Sequence, residues 1–261
     1  MAQLNVNFYS KSLVRPASFE MYIPNDTLFQ ENNPHYNRKC KTVFVLHGYA
    51  SHGRGWDQIY QLGEKYNFAL VFPNGENSFY LDSQSTTGKY CTFVGSELVE
   101  YLQKTFGLCM NKEDTFISGL SMGGFGVLHT GLAYPETFGK IVALSSALIM
   151  RQIVGMKPGQ EDNYANYYYY SHCFGDLDQL LESDNNPEVL VKKLKQQGKN
   201  IPDIYMACGT EDFLIEPNRQ FYQFLTDQNV KVTYIEDKGT HNMEFWNKYF
   251  AKGFAWLAEE D

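Results

Sequence analysis

The sequence predicts an α/β fold, in which a mostly parallel central sheet is covered by helices on both faces. Short apolar runs recur at 42–46, 69–72 and 141–144, as is typical of strands buried on both faces. Segments with helical spacing of apolar residues separate these runs. The chain has 261 residues, 43% hydrophobic and 20% charged, an ordinary globular composition with enough residues for a substantial core. No repeat or linker divides it, so we expect one domain over 1–261.

The N-terminal half begins with alternating polarity, which predicts an antiparallel hairpin. The elements predicted for this half are strands at 5–10 and 18–23, a loop at 24–41, a strand at 42–46, a helix at 56–65, a strand at 69–72 and a helix at 92–106. Gly107 is suited to end the last of these helices, because glycine readily adopts the left-handed conformation found at helix C-termini.

The C-terminal half continues the alternation of strand and helix. Its predicted elements are strands at 114–118, 141–144, 204–208 and 232–235, and helices from 124, at 217–228 and at 241–259. The stretch 146–186 has no clear period and carries a tyrosine-rich run. An irregular insertion of this length in a compact domain is usually functional, so we expect a small cap. The alternative is that the stretch serves for packing or as a subunit interface, and self-association of the chain is compatible with the latter.

Charge and cysteine content exclude several classes of function. The net charge of −8 argues against nucleic acid or an anionic membrane as a partner, since both bind basic surfaces. The N-terminus lacks the basic and apolar regions of a signal peptide, and no apolar run has the length of a membrane span. The five cysteines have neither metal-site nor redox-pair spacing. We therefore expect free thiols, a cytoplasmic location, and neither metal nor cofactor.

The most informative motif is Gly119-Leu120-Ser121-Met122-Gly123, which has the form G-x-S-x-G. A predicted strand precedes it and a predicted helix follows it. A serine in such a strand-to-helix turn is strained, with its hydroxyl exposed, and the two glycines leave room for the turn. The context favours a nucleophilic Ser121 over an ordinary glycine-rich turn.

A nucleophilic serine needs a base, and histidine is the usual one. Ligands of open α/β sheets bind beyond the carboxyl ends of the strands. His241 follows the last predicted strand and is the preferred base. His129 falls on the helix after Ser121, where a packing role is expected. His35 and His172 are in loops and remain alternatives.

The histidine in turn needs a carboxylate that fixes its tautomer. The expected order along the chain is serine, acid, histidine. Asp212 follows the strand at 204–208 and is preferred. Glu211 beside it is one rival. Asp237 is another, although it ends the strand that leads to His241 and is better placed to cap that strand.

The developing oxyanion needs backbone N–H donors. One is expected from Met122, directly after the nucleophile. The other is expected from Tyr49, where Gly48 lets the chain turn after the strand at 42–46. For His47 we expect a supporting role, in which its hydrogen bonds stabilise this turn.

With these residues in order, the chain resembles the esterase D branch of the α/β-hydrolases. That branch includes S-formylglutathione hydrolases, tributyrin esterases, feruloyl esterases and mycolyltransferases. The segments that carry the resemblance are Gly119-Leu120-Ser121-Met122-Gly123-Gly124, Val45-Leu46-His47-Gly48, Phe72-Pro73-Asn74, Cys208-Gly209 with Asp212-Phe213-Leu214, and Gly239-Thr240-His241. It runs almost end to end and is closest to the tributyrin esterases of Gram-positive bacteria.

The resemblance implies an α/β-hydrolase fold with Ser121, Asp212 and His241 as triad and Tyr49 and Met122 as oxyanion donors. The sequence departs from the tributyrin pattern after His47-Gly48, where Tyr49-Ala50-Ser51 replaces Met or Leu followed by Ser-Gly. A second departure is Glu211 before the acid, where a neutral residue is common. Substrate contacts are expected from Tyr49, Trp56 and Tyr167.

The function predicted from these residues is a serine carboxylesterase that hydrolyses short-chain acyl esters of small molecules through an acyl-enzyme on Ser121. An S-formylglutathione-type thioesterase uses the same chemistry on another acyl donor, and a feruloyl-type esterase is a substrate variant. The alternative from a different class is a catalytically silent hydrolase that serves as a binding module.

Overall fold

A computed structural model describes residues 2–24 and 32–260. Within these residues, eight strands form one sheet in the order β1-β2-β4-β3-β5-β6-β7-β8. The strands are β1 Ala2–Ser10, β2 Arg15–Ile23, β3 Lys41–Leu46, β4 Phe68–Pro73, β5 Thr115–Leu120, β6 Lys140–Leu144, β7 Asp203–Gly209 and β8 Val232–Asp237. β1 and β2 pair antiparallel, and β2 joins β4 antiparallel. The other pairs are parallel, which gives the α/β-hydrolase fold.

The helices connect the parallel strands and cover both faces of the sheet. They are α1 Asp57–Tyr66, α2 Tyr90–Thr92, α3 Leu98–Phe106, α4 Met122–Ala133, α5 Met150–Ile153, α6 Tyr167–Phe174, α7 Pro187–Gln196, α8 Ile215–Asp227 and α9 Met243–Ala258. A π-helical turn over Phe93–Glu97 joins α2 to α3. Among the described residues, every helix falls short of the length and apolar character needed to cross a bilayer.

The core lies in two layers, one on each face of the sheet. In β3, Phe44 and Leu46 pack into the larger layer, with residues of α3, α4, α7 and α8. Val43 and Val45 pack into the other layer, with residues of α1 and α9. Because successive side chains of a strand point to opposite faces, a strand covered on both sides must be apolar throughout. The apolar runs in the sequence reflect this requirement.

The predicted strands and the covering helices are confirmed, with bounds that shift by a few residues. The insertion at 146–186 is more regular than its pattern indicated, because it contains α5 and α6. Asn166 caps α6 by accepting a hydrogen bond from the N–H of Tyr169. Helix α7, not predicted, begins with Asn186 as N-cap and proline at the first position, both helix-start signals. The loop predicted at 24–41 lies partly outside the described residues, and its described part contains a 3₁₀ turn at Pro34–Asn37.

The turn between β5 and α4 is tightly packed against the end of β3. Ser121 has φ 55° and ψ −119°, a sparsely populated region that costs about 1–3 kcal/mol. Its N–H donates to the carbonyl of Leu144, and its own carbonyl accepts from Ala147. A methyl group on Gly123 would lie 2.1 Å from the carbonyl oxygen of Leu46. The first turn of α4 therefore lies directly against the end of β3, and only glycine fits there.

We expect Gly123→Ala to destabilise the protein by more than about 2 kcal/mol, because backbone must move to admit the methyl group. Gly63→Ala is the matched control. Gly63 lies within α1, and the methyl group of the introduced alanine would be 3.0 Å from the nearest atom. The decrease in the free energy of unfolding should therefore stay below about 1 kcal/mol. Urea unfolding measures both, and equal losses would contradict the close approach of α4 to β3.

Candidate active site

Three side chains predicted to act together form one hydrogen-bonded chain at the carboxyl edge of the sheet. The Oγ of Ser121 lies 2.9 Å from Nε2 of His241. The Nδ1 of His241 lies 2.9 Å and 3.1 Å from the two carboxylate oxygens of Asp212. A carboxylate accepts hydrogen bonds, so Nδ1 carries a proton and donates a hydrogen bond to Asp212. Nε2 is then the free acceptor for the hydroxyl proton of Ser121.

The loops that carry Asp212 and His241 are bonded to each other through their backbones. The N–H of Thr210 donates to the carbonyl of Asp237 at 2.9 Å, and the N–H of Glu211 donates to the carbonyl of Gly239 at 3.0 Å. These bonds extend the pairing of β7 and β8 beyond the strand ends. The distance between the acid and the imidazole is therefore set by the sheet rather than by free loops.

Asp212 is buried and fully engaged. Burial by itself raises the pKa of its carboxyl group, but hydrogen bonds from His241 and from the N–H of Leu214 outweigh it and hold the pKa below its usual value. The Ser145 hydroxyl acts in the same direction. The carboxylate is therefore ionised at neutral pH, as a hydrogen-bond acceptor for an imidazole must be.

Trp246 supports two members of this chain. Its indole N–H donates to the Oγ of Ser145 at 3.1 Å. Its ring meets the imidazole of His241 edge-on, with 4.7 Å between centroids. A large side chain from α9 therefore limits the motion of His241 and orients a hydroxyl group that acts on Asp212.

The rival carboxylates are placed elsewhere. Asp237 pairs with Lys248 and accepts a hydrogen bond from the hydroxyl of Tyr249 at 2.8 Å, and these contacts, that of Lys248 foremost, lower its pKa to about 2. Glu211 is exposed to solvent. Neither carboxylate is recorded as a partner of His241, whereas Asp212 contacts it through both oxygens.

The rival histidines also have other surroundings. His35 lies 2.9 Å from a carboxylate oxygen of Glu260, and His172 is exposed. His129 is buried between the Cys91 thiol and the carbonyl of Asp184, where desolvation lowers its pKa to about 4.

The turn after β3 lies against Ser121. A methyl group on Gly48 would be 3.5 Å from the Cβ of Ser121. The N–H of Gly75 donates to Nε2 of His47, so Nδ1 carries the ring proton and donates to the carbonyl of Gly48 at 2.8 Å. Burial lowers the pKa of His47 and keeps it neutral. His47 thus stabilises the turn, as the sequence predicted.

Asn77 holds the next peptide of this turn, and sequence reasoning missed it. Its Oδ1 accepts the N–H of Ala50 at 2.8 Å, and Ala50 has the left-handed φ of 56°. The backbone carbonyl of Asn77 accepts the hydroxyl proton of Tyr169 at 2.6 Å. One residue therefore connects helix α6 of the insertion to the turn at Tyr49. A single asparagine after a proline–glycine turn gives no sequence signal for such a role.

A cavity of about 450 Å³ opens above the Oγ of Ser121. The lining is mainly apolar, with residues of the β3 turn, the insertion and the loop after Asp212. The formally charged residues among the described lining are Arg54 and Asp162. Arg54 pairs with Glu20, and Asp162 accepts the hydroxyl proton of Tyr170. The cavity therefore suits a small neutral molecule.

Comparison with known proteins identifies the family of this chain. The model of the Esterase family matches residues 10–257. The chain belongs to the Esterase family. An acetyl esterase of Caldicellulosiruptor saccharolyticus is 43% identical over 265 residues, with 99% of each chain covered. The serine hydrolase FphF and the S-formylglutathione hydrolase FrmB, both of Staphylococcus aureus, each superpose with a TM-score of 0.83 at 23% identity over 99% of both chains. The protein is a carboxylic ester hydrolase with the α/β-hydrolase fold.

The predicted substrate-contacting residues are placed unequally in this esterase. Tyr49 and Trp56 line the cavity, whereas Tyr167 is absent from the described lining. Tyr167 begins α6, and a helix directs successive side chains to different sides. Tyr169 and Tyr170 from the same run reach the cavity instead, together with Tyr164 and Phe213. Tyr167 therefore lies outside the lining that its neighbours in α6 join, which the sequence did not indicate because the run was not recognised as a helix.

Metal ligation has no support in the part of the chain that the structure describes. There, no group of three or more His, Cys, Asp or Glu side chains is arranged to hold a metal ion.

Proposed function

We propose that the chain is a serine carboxylesterase that hydrolyses short-chain acyl esters through an acyl-enzyme on Ser121. The observation that carries the proposal is the hydrogen-bonded chain from Ser121 through His241 to Asp212, which opens on a cavity of ester size. The acetyl esterase relative supports a short acyl group. The G-x-S-x-G-G motif supports a place in the esterase D branch, near the tributyrin esterases.

The reaction starts when the Oγ of Ser121 attacks the ester carbonyl and His241 accepts the hydroxyl proton at Nε2. The imidazolium is stabilised by the Asp212 carboxylate. Collapse of the tetrahedral intermediate breaks the bond to the alcohol oxygen, which takes the proton from Nε2. Water, deprotonated by the same nitrogen, then attacks the acyl-serine, and the acid leaves as Ser121 regains its proton.

The oxyanion of the intermediate is held by the backbone N–H groups of Met122 and Tyr49. Met122 is the first residue of α4, where an N–H has no acceptor within the helix and the helix dipole favours negative charge. Tyr49 follows Gly48, which lies close to Ser121. The bond from the N–H of Ala50 to Asn77 keeps the peptide between Tyr49 and Ala50 in place.

The insertion at 146–186 forms a cap that gives the cavity part of its wall, and Tyr49 and Trp56, which line the same cavity, contact the substrate. An anionic glutathione thioester fits this cavity poorly, because Arg54, the arginine in the described part of the lining, is already paired with Glu20. The free thiols of all five cysteines suit a reducing cytoplasm, which is the location we propose.

We expect Ser121→Ala to lower the turnover of p-nitrophenyl acetate by at least about a thousandfold, because the nucleophile is lost. Ser51→Ala is the control, since Ser51 lines the same cavity but is not part of the hydrogen-bonded chain. Undiminished turnover in Ser121→Ala would contradict the proposal. A higher kcat/KM on S-formylglutathione than on the acetate would show that the preferred substrate is a thioester rather than an ester.

We expect Asp212→Asn to lower kcat by about 10⁴-fold, because an amide stabilises the wrong tautomer of His241 and cannot balance the imidazolium charge. Glu211→Gln, one residue away and exposed, should retain wild-type turnover. Steady-state rates on one acetate ester measure both variants. The acid would be misassigned if the two variants exchanged these results.

We expect Asn77→Ala to lower kcat by about 10- to 100-fold with little change in KM, because the turn that carries the Tyr49 N–H loses its support. Asn77→Asp retains an oxygen acceptor for the N–H of Ala50 and should recover most of the rate. Equal loss in both variants would show that the hydrogen bond to Ala50 does not matter for turnover.

A further inference from the structure

Two exposed aromatic rings stack on each other near the site, and one of them contacts the imidazole of His241. The ring centroid of Phe213 lies 4.6 Å from that of His241. The ring of Tyr164 stacks on Phe213 with 5.8 Å between centroids and 20° between planes. Both residues line the cavity above Ser121. Phe213 and Tyr164 are called the aromatic shelf below.

The shelf is unusual in its exposure. Phe213 is 56% exposed and Tyr164 is 60% exposed. Eight large hydrophobic side chains are exposed among the described residues, and four of them, Tyr49, Tyr164, Phe213 and Met243, line this one cavity. Clustered apolar exposure at a cavity is typical of a ligand site rather than of an ordinary surface.

The backbone on either side of the shelf is fixed. The N–H of Tyr164 donates to the carboxylate of Asp162 at 2.8 Å, and Asp162 is held in turn by the hydroxyl of Tyr170 at 2.8 Å. Phe213 lies between Asp212 and Leu214, whose N–H bonds the Asp212 carboxylate at 2.9 Å. The two rings are therefore presented from anchored positions, so little ordering is needed when a ligand binds.

The chemistry of the reaction decides which part of an ester meets the shelf. His241 returns its proton to the leaving alcohol oxygen, so that oxygen must come within hydrogen-bond distance of Nε2. The group attached to it then lies on the His241 side of the cavity, where the shelf is. The acyl oxygen instead points to the N–H groups of Met122 and Tyr49.

We propose that the aromatic shelf is a subsite for a six-membered ring in the alcohol part of the ester. The proposal rests on the proposed function, because it uses the leaving-group role of His241. A flat ring face can stack on Phe213 and Tyr164 in an offset arrangement. An aryl ring and the apolar face of a pyranose ring share this chemistry. Arg54 is paired with Glu20, and the Asp162 carboxylate already accepts a hydrogen bond from the Tyr170 hydroxyl, so we take the ring to be neutral.

The test compares three acetates that differ only in the alcohol: benzyl acetate, a monoacetylated methyl pyranoside and n-hexyl acetate. We expect Phe213→Ala and Tyr164→Ala to lower kcat/KM on a ring acetate by about five- to tenfold, which lies within the range that aromatic stacking energies give. For Tyr164→Ala, the rate on hexyl acetate should stay within about twofold of wild type, because a flexible chain gains little from stacking. A loss confined to one ring ester assigns the shelf to aryl or to sugar alcohols.

Tyr168→Ala is the matched control, because Tyr168 is 64% exposed in the same tyrosine run and is not part of the described lining. It should leave all three rates unchanged. Tyr164→Ala is the deciding variant, since the ring of Tyr164 contacts Phe213 and not His241. Equal losses on ring and hexyl acetates in Tyr164→Ala would overturn the shelf.

Failure of the proposed function has a different signature. The wild type would then hydrolyse none of the three acetates, or Ser121→Ala would hydrolyse them at the wild-type rate. Either result overturns the shelf together with the mechanism on which it rests. The shelf alone is overturned if hydrolysis depends on Ser121 but Tyr164→Ala lowers the rates on ring acetates no more than the rate on hexyl acetate.

Discussion

The contact between the first turn of α4 and the end of β3 is the constraint on which the rest of the site depends. Gly123 meets the Leu46 carbonyl at a distance that admits no side chain. This approach forces the chain to reverse within one residue, so Ser121 takes a strained conformation that its bonds to Leu144 and Ala147 maintain. The same contact brings the start of a helix beside the turn after β3, so under the proposed mechanism the nucleophile and the oxyanion donors depend on one junction.

The remaining parts of the site are connected to this junction through the sheet. The order β3-β5-β6-β7-β8 brings the strand ends to one edge, and the loops after β7 and β8 are bonded to each other. The relative positions of Ser121, Asp212 and His241 therefore follow from strand spacing. Side chains such as Trp246 and His47 only refine the positions that the backbone provides.

The sequence predicts what depends on local pattern and misses what depends on tertiary contact. Buried strands and the Ser121 turn have local signals, apolar runs and close glycines, and the predicted order of elements is correct. Helix α6 was missed because its tyrosines have no clear apolar period, although Asn166 and Gly175 mark its ends. Asn77 acts through a hydrogen bond across the fold, as does Tyr80, whose hydroxyl accepts the N–H of His47. No spacing in one chain reveals such partners.

The bond from the Tyr169 hydroxyl to the carbonyl of Asn77 has a consequence for how such an esterase can diversify. The segment that shapes the cavity is attached to the peptide turn beside the nucleophile. Under the proposed mechanism, an evolutionary change in α6 that adapts the cavity to a new ester also displaces the turn that carries the N–H of Tyr49. Substrate range and speed are then coupled traits, and new specificities should arise more readily at cavity positions that make no bond to this turn, such as Tyr164.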